Sequence, residues 1–541
     1  MKKLLSICLV LALVCACFSV NVTAIETENL DQEYGTGMID TPETLAAFHE
    51  QCIPYSSTYS ARTILPTSCD LSTSPYFPPI RSQGSQGSCV AWAAGYYQFT
   101  FAKNKLLGIT TTEDNAASPA WIYNLRAKSK TSGMFIGDAY AHLKEVGDVT
   151  KQQFPYNAND WFSLPTNESH LIEALNIRVS DYYLLTVSGN QVTSVNSSVL
   201  YQIKEALYLQ NVLTGSIILS DGMATAYKYY NGNKIYYRGA CGIDDNGNID
   251  YSNHLVSIVG YDDSVWIDIN GNGTAEAAEY GAFKIANSWG TNTSWGNGGY
   301  IWVSYDSLNA VSQVSGNWET NLNTVRRAMF STAANGTNYF YKTVVQEMSP
   351  LFIGKIGVTT TNRQNIKLEA TSSEISSYGT FTREQDEPYY FGMFCGGASF
   401  SGFMFIDLTP AVVYTADPSI TSIQTTVTLM DRDYSNSATY TESSLSNCTY
   451  SIIDNLGTTL YNYPSTFSLT NTSKSISKNF DMSERGDVNY DGVVNTTDAQ
   501  VVLRYVSGSV DLSYLQMYYA DYDMNGFVES ADALAIMQAG V

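Results

Sequence analysis

The chain has 541 residues, too many for one hydrophobic core, so three or more domains are expected. Lys and Arg number 29 against 51 Asp and Glu, a net charge of −22 that excludes non-specific binding to nucleic acid. Nine cysteines spread over this length exclude a disulfide-built scaffold.

Met1-Lys2-Lys3 followed by the apolar run Leu4 to Val20 reads as a secretory signal. Val22-Thr23-Ala24 supplies a small-residue cleavage site, so residues 1–24 are read as a signal peptide and the protein as secreted. Neither Cys15 nor Cys17 follows a good lipobox, which leaves lipoprotein processing the weaker alternative. No later stretch reaches ~18 apolar residues, so no membrane span is expected. Residues 25–62 are polar, with one short helical candidate at Thr41 to Gln51, and are read as a short N-terminal prosegment or linker.

Residues 63–331 hold the densest chemistry. Cys89 ends the run Gln83-Gly84-Ser85-Gln86-Gly87-Ser88-Cys89 and opens a buried helical stretch reaching Leu106. A thiol with a pKa near ~8.5 is mostly protonated at neutral pH and needs help to ionise. The free N–H groups and dipole at a helix start supply part of it. An imidazole, His254, 165 residues downstream, can take the proton. Asn287 in Asn287-Ser288-Trp289-Gly290 can hold the other ring nitrogen, and Gln83 can donate to a developing oxyanion beside the Cys89 backbone N–H. Helical patterns at Ala120 to Ala127 and Gly137 to Val146 precede β-rich segments from about Tyr183. Between His254 and Asn287, the loop Asp268, Asn270, Asn272, Gly273, Thr274, Glu276, Glu279 matches calcium-ligand spacing.

From 335 to 478 strand-like runs dominate (Thr343 to Val345, Tyr389 to Phe394, Phe403 to Ile406, Thr425 to Leu429), which predicts a β-sandwich, lectin-like module. Residues 481–541 contain two loops 34 residues apart. One offers Asp487, Asn489, Asp491, Val493, Asn495 and Asp498; the other offers Asp521, Asp523, Asn525, Phe527, Glu529 and Asp532. Oxygens at loop positions 1, 3, 5, 9 and 12, a glycine at 6 and a carbonyl at 7 wrap Ca²⁺. Each loop closes on Asp where an ordinary EF-hand has Glu and runs directly into an apolar helix. Ten acids against two arginines in this tail predict calcium-dependent folding.

These residues resemble the papain-like cysteine peptidases over about 63–331. The family's oxyanion Gln six residues before the Cys stands here as Gln83. Its Asn-His strand stands as Asn253-His254-Leu255-Val256-Ser257-Ile258-Val259-Gly260-Tyr261, its Asn-Ser-Trp-Gly as 287–290, and its closing Gly-Tyr strand as Gly299-Tyr300. The resemblance implies an α+β two-lobe fold, a helical lobe plus a β-barrel lobe, and peptide-bond hydrolysis through a thioester. It also places Gly133 where family members pair with an extended substrate. Val90 and Gln86 depart from it, replacing an aromatic residue and a half-cystine. With Cys89 set aside, five mature cysteines allow at most two disulfides.

The duplicated loops resemble a type I dockerin. That implies a small α-helical calcium-binding module that docks to a cohesin domain on a cellulosome-type scaffold, with Thr496-Thr497 and Ser530-Ala531 facing the cohesin. The combined expectation is a secreted, scaffold- or cell-surface-associated cysteine endopeptidase acting on polypeptides. The alternative is a non-catalytic peptide-binding protein on the same fold, and a transpeptidase is a third reading.

Overall fold

The structure is a computed structural model. It describes residues 35–58, 64–217 (without 128 and 190), 227–236 (without 231), 254–309 (without 270–271 and 292–295) and 313–314. Further on it describes 337–372 (without 349 and 364–365), 399–409, 422–431, 444–481 and 485–540 (without 513 and 524–526). The expected features at 1–24, Asn253, Asn270, Trp295, Asn525, Cys241, Cys395 and 389–394 lie outside the described residues.

Among the described residues a ten-stranded sheet organises the stretch from 53 to 347. Its strand His254–Trp266 is buried over its first eight residues, as the near-continuous apolar run His-Leu-Val-Ser-Ile-Val-Gly-Tyr requires. It pairs with Leu213–Ile217 on one side and Tyr280–Ala286 on the other. Ser68–Asp70 also pairs with it, and comes so close that a β-carbon on Gly260 would stand 2.4 Å from the Cys69 carbonyl oxygen.

The sheet corrects the domain boundary read from sequence. Asn338–Glu347, assigned above to the following β-module, pairs along its whole length with Ile177–Val187 and at Phe340 and Tyr341 with Leu213–Ile217. Its alternating apolar residues specify a strand but not a partner. The β-rich segment after Tyr183 also contains a helix, Ser198–Tyr208, whose Leu200, Ile203 and Leu207 are buried at helical spacing.

Against the sheet pack the helix Ile136–Glu145 and the helical run opened by Cys89, and Pro119–Arg126 packs on these helices. That run passes from Cys89–Ala91 through a π-helical stretch, Trp92–Phe99, into Thr100–Leu107. At Gly95 a β-carbon would lie 2.2 Å from Ile122 Cδ1, so glycine permits the close crossing of Pro119–Arg126.

Among the described residues of 353–481 the strands form a five-stranded and a three-stranded sheet. Ile356, Val358 and Tyr450 of the first share a core with Leu368, Val427 and Leu429 of the second. Alternating burial along Ser422–Asp431 shows the period of a strand with one covered face. The same core takes in Trp121, Leu125, Leu171 and Ile172 of the preceding lobe. A buried Arg178–Asp407 ion pair crosses this junction, and the buried Arg363 guanidinium donates to the Phe162 and Asn124 carbonyls at 3.0 and 2.7 Å.

At the C-terminus, Thr496–Val506, Tyr514–Ala520 and Ser530–Ala539 enclose a small core of Val488, Ala499, Val502, Ala533 and Ile536. Tyr514–Ala520 was not anticipated from the loop–helix repeat. No helix among the described residues is long and apolar enough to cross a membrane.

Candidate active site

Cys89 is fully buried at the first position of its helix. The backbone N–H groups of Leu255, Val90 and Met38 favour its ionised form. Leu255 follows His254 at the start of the central strand, and that strand packs on the helix opened by Cys89. His254 Nε2 lies 2.7 Å from Asn287 Oδ1, which also accepts the Ser288 N–H at 2.7 Å. Because that oxygen already receives one N–H, the carboxamide orientation is fixed and Nε2 must carry the ring proton. Nδ1 is then the bare nitrogen, and it is buried with no hydrogen-bond partner. The Trp289 indole covers the ring, centroids 5.0 Å apart.

Gln83 is likewise fully buried. Its Oε1 accepts from Ser288 Oγ and its backbone N–H donates to the Ser288 carbonyl at 2.7 Å. The carboxamide nitrogen therefore faces the cleft. Ser288 is a functional partner that sequence reasoning missed, although it sits inside the quoted motif. Gln83, Cys89, His254 and Asn287 thus converge in one site.

The cleft is filled by the chain's own N-terminal segment. The Gly35 carbonyl accepts from Gln83 Nε2 at 2.7 Å and from Trp289 Nε1 at 3.3 Å. Met38 pairs in parallel with Met134, whose N–H donates to the Gly37 carbonyl at 2.8 Å. Gly133, at φ +69°, lies against Gly37 and Ile39, where a β-carbon would stand 2.7 Å from the Gly37 oxygen. The residue expected to face an extended peptide thus faces this segment. Beyond it the helix Pro42–Gln51, N-capped by Thr41, seats Phe48 against Tyr140, Tyr182 and Tyr341.

Burial under this segment pushes the Cys89 thiol up to about 12, with the nearby Asp40 adding to the shift against three N–H groups. Burial pulls His254 down to about 4, opposed by its bond to Asn287. The covered pair is therefore a neutral thiol and a neutral imidazole.

Two of the three acidic loops share one hydrogen-bond plan at Gly: Gly492 N–H donates to Asp487 and Gly273 N–H to Asp268. All three share it at the last position. There the second residue donates to the closing carboxylate: Val488 to Asp498, Tyr522 to Asp532, and Ile269 to Glu279. Carboxylate oxygens of Asp521, Asp523 and Asp532 converge within 4.8 Å, an arrangement whose mutual repulsion a divalent cation would relieve. Asn489 and Asp491 turn into the first loop, and Asn495 and Glu529 cap the helices that follow. Val493 and Phe527, the carbonyl positions, leave their side chains exposed. In the peptidase loop Asn272 Oδ1 accepts the Thr274 N–H, and Glu279 is fully buried. Cys52, Cys69, Cys89 and Cys448 are all unpaired.

Comparison with known proteins places this geometry. Residues 65–316 match the papain family of cysteine proteases, and residues 485–539 match the dockerin type I domain. A cysteine protease of Blomia tropicalis is 27% identical over 262 residues, covering 46% of this chain and 63% of that protein. A cathepsin L-like proteinase of Fasciola hepatica is 26% identical over 253 residues, covering 46% and 62%. The chain thus spans about three fifths of the length of these two curated relatives. Among solved structures, xylellain, a cysteine protease from Xylella fastidiosa, aligns at 18% identity with a TM-score of 0.38, over 57% of this chain and 96% of that one. The chain therefore carries a papain family cysteine protease domain at 65–316 and, behind it, a type I dockerin domain at 485–539.

Proposed function

We propose that the protein is a secreted cysteine endopeptidase held on a cohesin-bearing scaffold by its C-terminal module. The observation that carries the reading is the bare, buried Nδ1 of His254, its ring locked through Nε2 to Asn287, on a strand that packs against the helix opened by the Cys89 thiol. With the cleft open, Nδ1 takes the Cys89 proton and the thiolate attacks a peptide carbonyl carbon. Gln83 Nε2 and the Cys89 N–H receive the oxyanion. The imidazolium then protonates the departing amine as the C–N bond breaks, leaving a thioester. Water, deprotonated by the same nitrogen, attacks the thioester and releases the acid.

Residues 35–40 act as a strap that must leave before substrate enters, and 132–134 then pairs with the incoming peptide. The two loops of the dockerin hold calcium, and the repeated hydrogen-bond plan supports a third ion at Asp268, Asn272, Thr274 and Glu279. The two-sheet module is a β-sandwich fused to the peptidase.

The test is hydrolysis of a mixed fluorogenic peptide library by residues 25–541, with and without calcium, beside Cys89→Ala. Cleavage that disappears in the variant supports the peptidase. Its absence from the wild-type chain after the N-terminal segment is removed would leave a peptide-binding protein.

A further inference from the structure

The loop between Gln83 and Cys89 carries one side-chain and one backbone oxyanion donor at its two ends, and one hydroxyl from a separate loop touches both ends. Tyr156 Oη donates to the Gln83 carbonyl at 2.8 Å. Its single proton is thereby committed, so the contact of 2.8 Å with Ser88 Oγ is a donation from Ser88 to Tyr156. The Tyr156 ring stands edge-on to Trp92, one turn into the nucleophile helix, with centroids 4.9 Å apart.

Ser88 occupies the N-cap of that helix, where a serine hydroxyl ordinarily accepts a first-turn N–H. Here it makes no capping bond. Its oxygen is turned toward Tyr156, and the uncapped Val90 N–H favours the ionised form of the Cys89 thiol. Gln86 ties the same loop to the Asp160 carbonyl at 3.2 Å, four residues beyond Tyr156.

We propose that Tyr156 is a positioning residue for acyl transfer: it fixes the loop that aims the oxyanion donors and keeps Ser88 from capping the helix end that serves the thiolate. This rests on the peptidase reading above and goes beyond it, since it assigns both tasks to a residue outside the motifs quoted for that reading.

The test is Tyr156→Phe in residues 25–541, after the N-terminal segment has been removed. The ring, and with it the packing on Trp92, is retained. Loss of the loop brace should lower kcat about 30-fold, short of the roughly 10²–10³ that losing a donor itself costs, with KM within about twofold. Release of Ser88 should move the pH profile of Cys89 alkylation by iodoacetamide upward, a reaction that uses no oxyanion donor. Adding Ser88→Ala should return that profile to the wild-type position while kcat stays low. With Tyr156 intact, Ser88→Ala alone should leave the alkylation profile in place, which keeps the test open if the phenylalanine variant does not fold. A wild-type kcat in Tyr156→Phe, a loss lying wholly in KM, or an alkylation profile that moves in Ser88→Ala alone would overturn the proposal. Wild-type protein that alkylates normally but cleaves nothing would overturn the peptidase reading instead, and the alkylation arm would still decide the role of Tyr156.

Discussion

Gly37 runs so close to Gly87 that a β-carbon on it would stand 2.0 Å from the Gly87 carbonyl oxygen. No side chain can be accommodated there without moving backbone against backbone, so the closed strap depends on glycine at this point. Gly37→Ala should therefore favour the open cleft. Each ~1.4 kcal/mol of strain raises the open population tenfold, so the unprocessed variant should cleave peptides at least about ten times faster than unprocessed wild type. Initial rates on one fluorogenic peptide, before any self-cleavage, check this. Equal rates would mean that the strap does not gate the site.

The strap should also respond to pH in a particular direction. Burial raises the Asp40 carboxyl to about 7, with Asp138 adding to the rise and hydrogen bonds from Ile136 N–H and Thr44 opposing it. A raised folded-state value means that the closed form binds the proton more tightly than the open form. Its contribution is complete below the ordinary carboxylate range and is lost as pH climbs through about 7. Opening should become easier above neutrality, and Asp40→Asn should flatten that dependence. Limited proteolysis of residues 35–62 across pH 5 to 9 reads it out.

Asp407→Ala would leave the Arg178 guanidinium buried without its carboxylate. Removing one partner of a buried pair costs about 3–5 kcal/mol. Because the peptidase helices and the two-sheet module share one core, we expect a single denaturation transition that shifts as a whole. Two transitions, with only one moved, would show that the module folds independently.

Asp532 is fully buried and closes the second C-terminal loop, accepting from Tyr522, Asp523 and Glu529 N–H groups. Asp532→Ala should abolish one calcium-binding event in titration calorimetry. It should also unfold the helices around Val488 and Ile536, seen as lost protection from hydrogen exchange. An unchanged calcium stoichiometry would rule out this loop as a site.

Gln83, Cys89, His254 and Asn287 could be picked out from sequence because each sits in a short motif whose residue types have few other uses together. The dockerin loops were legible because their ligand spacing is repeated. Tyr156 was not, since a tyrosine in an irregular loop carries no local signal and acquires its role from a contact 73 residues away in sequence. Asn338–Glu347 was recognisable as a strand, but its neighbours are set by long-range register that no local pattern encodes. Gly35 and Gly37 read as punctuation in a polar segment, and only their approach to Gln86 and Gly87 gives them meaning.

That same strand has a consequence for biosynthesis. Asn338–Glu347 lies between Ile177–Val187 and Leu213–Ile217, in the interior of the peptidase sheet. While it is still inside the ribosome, the emerging chain already holds Cys89, His254 and Asn287 but has a gap where two strands should meet. The sheet is therefore completed only after the peptidase motifs have all been synthesised and the chain has doubled back, and a peptidase fragment ended at residue 331 would be born with its sheet divided.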